Sequence, residues 1–244
     1  MKHILLFIGI LFSGNLLAKN HFVMISDSRG NCAFALQLFK QFHNIENSTF
    51  TFRSSGGSTP FQWVRTDRRT FSPAGIELKG KSGKYLGPKR IMYHKVITPN
   101  LKSYLNDQFK SLNKEDRKVV LVNLGTNQTN SDDLYKNSTT VLKTIQEQNA
   151  ACIWIGPPHN TKWDDTRTLT QNTTIQKAIL DSNVNCHFIN SFEISHYPFT
   201  ARSRQVDLIH YCWDKYVEKA GRDWADRTFD EILFFLNISG QSDT

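Results

Sequence analysis

His21-Phe22-Val23-Met24-Ile25-Ser26 is the stretch that most directly indicates how this 244-residue chain folds. Its unbroken apolar, partly β-branched character predicts a strand buried within a sheet. After it, Phe34, Leu38 and Phe42 recur at helical spacing within residues 32–42. A buried strand that passes directly into an amphipathic helix is typical of an α/β fold.

The same alternation continues along the chain. Further strands are predicted at residues 49–53, 118–124, 151–155 and 184–189, and further helices at residues 101–112, 134–148, 168–181 and 211–236. We therefore predict an α/β fold with a mostly parallel five-stranded sheet and helices on both faces.

The first residues resemble a secretory signal. Lys2 and His3 precede an apolar run over residues 4–12, and Ala18 is a candidate cleavage position. We predict a signal peptide at 1–18 and one exported domain, periplasmic or extracellular, at 19–244; an uncleaved anchor is the alternative. No later stretch is long and apolar enough for a membrane span, so the mature domain is expected to be soluble.

The chain carries a formal charge of +8 and a pI near 9.3. This balance favours acidic partners such as wall polymers, anionic glycans or lipid head groups. Much of the positive charge lies in a basic insertion at about 61–97, where glycine and proline favour a loop or hairpin over a helix. No nucleic-acid motif accompanies the charge, and a merely solvated basic face is the alternative.

Three short segments carry candidate chemistry. Ser28 follows the first strand, Asn127 follows the strand at 118–124, and Asp207 and His210 lie shortly before the last helix. Sites in open α/β sheets form outside the carboxyl ends of the strands, so these residues can meet there. A serine needs a base, and the base needs a carboxylate to orient it. Taken singly, each residue also fits a helix cap or a turn.

These segments resemble the sequence blocks of the SGNH hydrolase superfamily, also called GDSL-type esterases. In chain order the blocks are Ser26-Asp27-Ser28, Ser55-Gly56-Gly57-Ser58-Thr59, Gly125-Thr126-Asn127 and Asp207-Leu208-Ile209-His210. The resemblance covers nearly the whole mature chain. It implies a three-layer, flavodoxin-like fold and esterase activity.

The resemblance also implies a role for each matching residue. Ser28 is the nucleophile, His210 the general base and acid, and Asp207 its orienter. The oxyanion donors are the backbone N–H groups of Ser28 and Gly57 and the side-chain amide of Asn127. Gly57 is preferred to Gly56 because Gly57-Ser58-Thr59 fits the family's pattern better. One departure is Ser26, which stands where the family has a glycine, and Asp27 is expected to be structural.

The four cysteines, Cys32, Cys152, Cys186 and Cys212, allow three disulfide pairings. None forms a CxxC pair, which argues against a zinc site. Cys32 with Cys212 is favoured because each closely follows a proposed catalytic residue, at one end of the sheet. Burial of all four as small apolar residues is the alternative.

The substrate is less constrained by sequence. Arg29 is a candidate for binding an anionic group and Trp63 for stacking on a sugar ring, with a salt bridge and core packing as the respective alternatives. We expect removal of O-linked acyl groups, acetyl foremost, from an envelope carbohydrate such as peptidoglycan. A lipid or aryl esterase is one alternative, and a noncatalytic glycan-binding protein on an esterase fold is another. No metal or organic cofactor motif is found, and the proposed mechanism needs neither.

Overall fold

The computed structural model describes residues 18–65, 71–85, 89–198, 209–212 and 214–237. Asp207, most of the predicted signal peptide and parts of the basic insertion lie outside these residues. The strands are β1 Asn20–Ser26, β2 Ser48–Ser55, β3 Phe71–Lys81, β4 Lys89–Ile97, β5 Arg117–Asn123, β6 Ala151–Ile155 and β7 Cys186–Ile189. The helices are α1 Ala33–Gln41, α2 Pro60–Val64, α3 Leu101–Phe109, α4 Ser131–Gln146, α5 Asp165–Ser182, α6 Ser191–Ile194 and α7 Lys215–Leu236.

All seven strands form one sheet in the order β4-β3-β2-β1-β5-β6-β7. The five strands from β2 to β7 in this order run parallel, as the sequence predicts. The predicted number of strands was too low, because β3 and β4 extend the sheet as an antiparallel pair. Both belong to the basic insertion, so this part of the chain forms a hairpin.

Residues of β1 alternate between the two faces of the sheet, as the pleat of a strand requires. Phe22 and Met24 pack into one buried cluster with residues of α1 and α7. Val23 and Ile25 pack into a second cluster with residues of α3, α4 and α5. The result is the predicted three-layer arrangement, with β1 buried on both sides.

The carboxyl ends of β1, β2 and β5 lie at the same edge of the sheet because these strands are parallel neighbours. The segments that follow them contain Ser28, Gly57 and Asn127. The fold therefore gathers the candidate residues at one end. Of the helices in the described part of the chain, none is long and apolar enough to cross a lipid bilayer.

Candidate active site

Ser28 is placed by a tight turn at the end of β1. Asp27 has extended backbone angles and its carboxylate accepts a 2.9 Å hydrogen bond from the Arg29 N–H, which caps a short 3-10 helix over Ser28–Asn31. Gly30 lets this turn lie against the sheet, since a Cβ there would come within 2.7 Å of Ser54 and 2.8 Å of Ser26. Ser28 itself is half-buried at this edge.

The side chains of His210 and Ser28 are in contact, although 182 positions separate the two residues in the chain. The distance from Ser28 Oγ to His210 Nε2 is 2.7 Å, which is a hydrogen bond. A neutral imidazole that accepts from a serine hydroxyl is arranged to remove its proton. Asp207, the predicted orienter of His210, lies outside the described residues, so its role stays a prediction.

The predicted oxyanion donors lie around the same turn. The Gly57 N–H follows β2 in a turn where the glycine has φ +72°, a left-handed conformation that favours glycine. Among the described residues, neither the Ser28 N–H nor the Gly57 N–H has a hydrogen-bond acceptor.

Asn127 is tied to the other two candidate segments through its side chain. Its Nδ2 donates to the carbonyl oxygen of Ser58 at 3.1 Å and to Asp27 Oδ2 at 3.3 Å. These bonds hold the amide beside the residues that flank Gly57 and Ser28. A developing oxyanion would compete with the longer of the two bonds for one amide hydrogen.

Comparison with solved structures finds proteins of similar architecture, and two of the three described here are esterases by name. EstA, a psychrotrophic esterase from Pseudoalteromonas sp., superposes with a TM-score of 0.56 at 15% identity, over 90% of this chain and 100% of that one. Est24, a carbohydrate acetylesterase from Sinorhizobium meliloti, gives 0.54 at 9% identity, over 89% and 100%. TesA gives 0.54 at 10% identity, over 87% and 99%.

The chain has the fold of the esterases EstA and Est24. No protein-family model matches its sequence, and a search of curated proteins finds no match either. At 15% identity or less, these likenesses concern the fold alone. A shared fold does not fix the chemistry, which depends on the residues of this chain.

Arg29 is not placed to bind substrate. Its side chain is 2% exposed and its Nη1 lies 3.7 Å from Asp27 Oδ2, so it forms a buried ion pair. Burial raises the pKa of the Asp27 carboxyl, and the Arg29 guanidinium opposes that rise. The expectation that Arg29 faces the substrate is therefore wrong, because its buried guanidinium is paired with the Asp27 carboxylate.

The prediction that Trp63 stacks on a sugar ring is also wrong. It is 0% exposed, and its indole N–H donates to Ser58 Oγ at 3.1 Å. Trp63 therefore supports from the core the residue whose carbonyl holds Asn127. The exposed aromatic of the same helix is Phe61, which is 43% exposed and has the Arg65 guanidinium carbon 4.9 Å from its ring centre.

Two buried tyrosines hold the His210 segment and were not singled out from sequence. Tyr197 Oη donates to the carbonyl oxygen of His210 at 3.3 Å, and Tyr211 Oη donates to that of His159 at 2.8 Å. The only sequence signal was the position of Tyr211 next to His210. Tyr197 depends on tertiary contact alone and leaves no local pattern.

Gln171 of α5 was also missed. Its Nε2 donates to the carbonyl oxygens of Thr126 and Gln128, at 2.9 and 2.8 Å. These two residues flank Asn127, so Gln171 fixes the loop from both sides. A glutamine within a helix gives no sequence sign of such a role.

The cysteines form two disulfides, and one is the favoured pair. Cys32 is bonded to Cys212, and Cys152 to Cys186. Across the described ranges, no group of three or more His, Cys, Asp or Glu side chains is arranged to hold a metal ion.

Proposed function

We propose that this protein is a serine esterase in which Ser28 is the nucleophile and His210 the general base and acid. The observation that carries the proposal is the 2.7 Å contact between Ser28 Oγ and His210 Nε2. Asp207, three positions before His210, is proposed to orient the imidazole. Together with the Ser28 and Gly57 N–H groups, which have no acceptor among the described residues, this arrangement fits acyl transfer.

In the proposed reaction, His210 takes the proton of Ser28 as Oγ attacks the ester carbonyl carbon. The carbonyl oxygen becomes an oxyanion that accepts from the Ser28 and Gly57 N–H groups and the Asn127 amide. His210 then gives its proton to the departing alcohol, which leaves an acyl group on Ser28. Water, activated by the same imidazole, releases the acid and restores the serine.

We propose as substrate an O-acylated carbohydrate of the cell envelope, with acetyl as the acyl group. Three observations support this choice. The chain carries a formal charge of +8, which favours an acidic polymer. Phe61, on the helix that follows the Gly57 turn, presents an exposed ring, and Arg65, directly after that helix, presents a cation beside it. Est24, which shares the fold, is a carbohydrate acetylesterase.

The proposal is tested by turnover of p-nitrophenyl acetate and p-nitrophenyl octanoate. We expect faster hydrolysis of the acetate, abolished in Ser28→Ala. Ser182→Ala, which alters a serine near the start of β7 and away from the site, is the matched control and should keep normal turnover.

Each other outcome has a distinct meaning. Preference for octanoate would favour a lipid or aryl esterase over a carbohydrate deacetylase. Equal rates for the wild type and Ser28→Ala on both esters would refute the serine mechanism. Retention on acetylated glycan without turnover would then identify a binding protein on an esterase fold.

A further inference from the structure

Three consecutive residues that include His210 are each anchored to another part of the chain. The carbonyl oxygen of His210 accepts from Tyr197 Oη at 3.3 Å. The carbonyl oxygen of Tyr211 accepts from the Ala33 N–H at 3.3 Å. Cys212 is joined to Cys32 by the disulfide. The backbone on which the imidazole stands is therefore fixed at three successive positions.

The side chain of Tyr211 adds a fourth anchor. It is 1% exposed, and its hydroxyl donates to the carbonyl oxygen of His159 at 2.8 Å. Its ring centre lies 5.2 Å from that of Tyr197 and 5.4 Å from that of Trp224. Helix α7 approaches this ring closely at Gly221, where a Cβ would lie 2.8 Å from the Tyr211 Cβ. Tyr211 is thus locked in the core beside the site.

Two of these anchors end on the segment that carries the nucleophile. Cys32 and Ala33 come four and five residues after Ser28, at the start of α1. The disulfide and the Ala33 hydrogen bond therefore fix His210 relative to the turn of Ser28 itself, rather than to a distant part of the fold. A crosslink placed there limits how far the base can move from the hydroxyl.

We propose that the Cys32–Cys212 disulfide, together with Tyr197 and Tyr211, is a positioning clamp that holds His210 against Ser28. The inference rests on the proposed function and deepens it. Tyr197 contacts the His210 carbonyl oxygen, Tyr211 is the next residue, and the disulfide joins Cys212 to Cys32, so we argue that each acts through the position of His210. A shift of about 1 Å between catalytic groups can cost about 100-fold in rate, so loosening the clamp should lower kcat.

The second disulfide supplies a matched control. Cys152 and Cys186 face each other in register on β6 and β7, near the amino ends of these strands. They join strands that the sheet already holds together, at the end opposite Ser28. Their removal tests what the loss of a disulfide does to the protein without touching the clamp.

The experiment compares kcat and KM for p-nitrophenyl acetate in the double variants C32A/C212A and C152A/C186A, at a temperature where both are folded. We expect C32A/C212A to lose about 10- to 100-fold in kcat with little change in KM, while C152A/C186A keeps a nearly normal kcat. Equal losses in both variants, or no loss in C32A/C212A, would overturn the proposal.

A readout independent of turnover separates the clamp from the proposed function. The ring signals of His210, assigned by NMR with His210→Gln, should shift when Ser28 becomes alanine, because the 2.7 Å hydrogen bond is lost. That shift should shrink in the C32A/C212A background. An undiminished shift there refutes the clamp, even if the wild type hydrolyses no ester.

Tyr197→Phe keeps the test decisive should C32A/C212A fail to fold. It leaves both disulfides intact and removes only the hydroxyl that donates to His210. We expect a lower kcat at unchanged KM and a smaller response of the His210 signals to Ser28→Ala. Unchanged values of both quantities would overturn the proposal.

Discussion

The two disulfides lie near opposite ends of the sheet and differ in what they join. Cys32–Cys212 links residues 180 positions apart, at the carboxyl end beside Ser28 and His210. Cys152–Cys186 links residues 34 positions apart on adjacent strands. By the chain-entropy relation these loops correspond to about 5 and about 4 kcal/mol of stability. The two crosslinks thus resemble each other in expected stabilisation, and differ in their distance from the candidate site.

That difference suggests that the two ends of the sheet have different roles. At the carboxyl end, polar groups from different loops are hydrogen-bonded to one another, as Asn127 is to Asp27 and Ser58. At the amino end, polar contacts such as that between His21 and Thr49 join neighbouring strands. Substitutions at the first end should affect catalysis, and substitutions at the second should affect stability.

The largest expected effect distinguishes two histidines. His210→Gln removes the proposed base and should lower kcat about 10⁴- to 10⁶-fold, the range that loss of one triad member costs in serine proteases. His21→Gln, at the amino end of β1, should leave kcat nearly unchanged. Steady-state hydrolysis of p-nitrophenyl acetate measures both, and comparable losses in the two variants would remove the contrast.

The next effect concerns the oxyanion. Asn127→Ala should lower kcat about 100- to 1000-fold, because one donor to the developing negative charge is lost. Asn185→Ala, at an exposed position before β7, is the control. Near-normal turnover in a folded Asn127→Ala protein would show that its amide serves only the bonds to Ser58 and Asp27.

A smaller difference is expected in stability between the two disulfide variants. Urea unfolding of C32A/C212A and C152A/C186A should give free energies of unfolding within about 1–2 kcal/mol of each other, since the loop terms are similar. Combined with unequal kcat values, this would separate positioning from stability. If the free energy of unfolding of C32A/C212A were much lower than that of C152A/C186A, unfolding would explain its lost activity instead.

The smallest effect is a pH dependence of stability from the amino end. Burial lowers the pKa of His21 below its usual 6.5, although Asp116 opposes the shift. The unfolded chain then binds a proton more readily, so stability should fall as pH falls through about 6.5 and below. His21→Gln should flatten the melting temperature against pH in that window. An unchanged slope would contradict this assignment.

The parallel strands could be predicted from sequence because each is an apolar run buried on both faces, as in 118–124. Strands β3 and β4 could not, because they extend one edge of the sheet and several charged residues interrupt their apolar positions. In β3, Glu77 is buried between Ile76 and Leu78, and it pairs with Arg53 and Lys79. A charged residue within a basic stretch favours the prediction of a loop, because the sequence does not show the partners that allow it to be buried in a strand.

The candidate site divides in the same way. Ser28, Gly57 and Asn127 could be proposed from sequence because each follows a strand in a short motif, and His210 because of its own motif; their catalytic roles stay predictions. The predicted substrate contacts of Arg29 and Trp63 were wrong, because the sequence does not show whether an arginine or a tryptophan is exposed or buried. Tyr197 and Gln171 were missed because their roles exist only through contacts across the fold.

The most direct test of the account is covalent labelling of the proposed nucleophile. A reactive phosphonate ester is a suitable probe, because an activated serine oxygen attacks its phosphorus and remains bonded to it. Peptide mass spectrometry after labelling should find one phosphonyl group, on Ser28, formed much more slowly in His210→Gln. No adduct, or an adduct on another residue at a rate that His210→Gln leaves unchanged, would contradict the proposal that His210 activates Ser28.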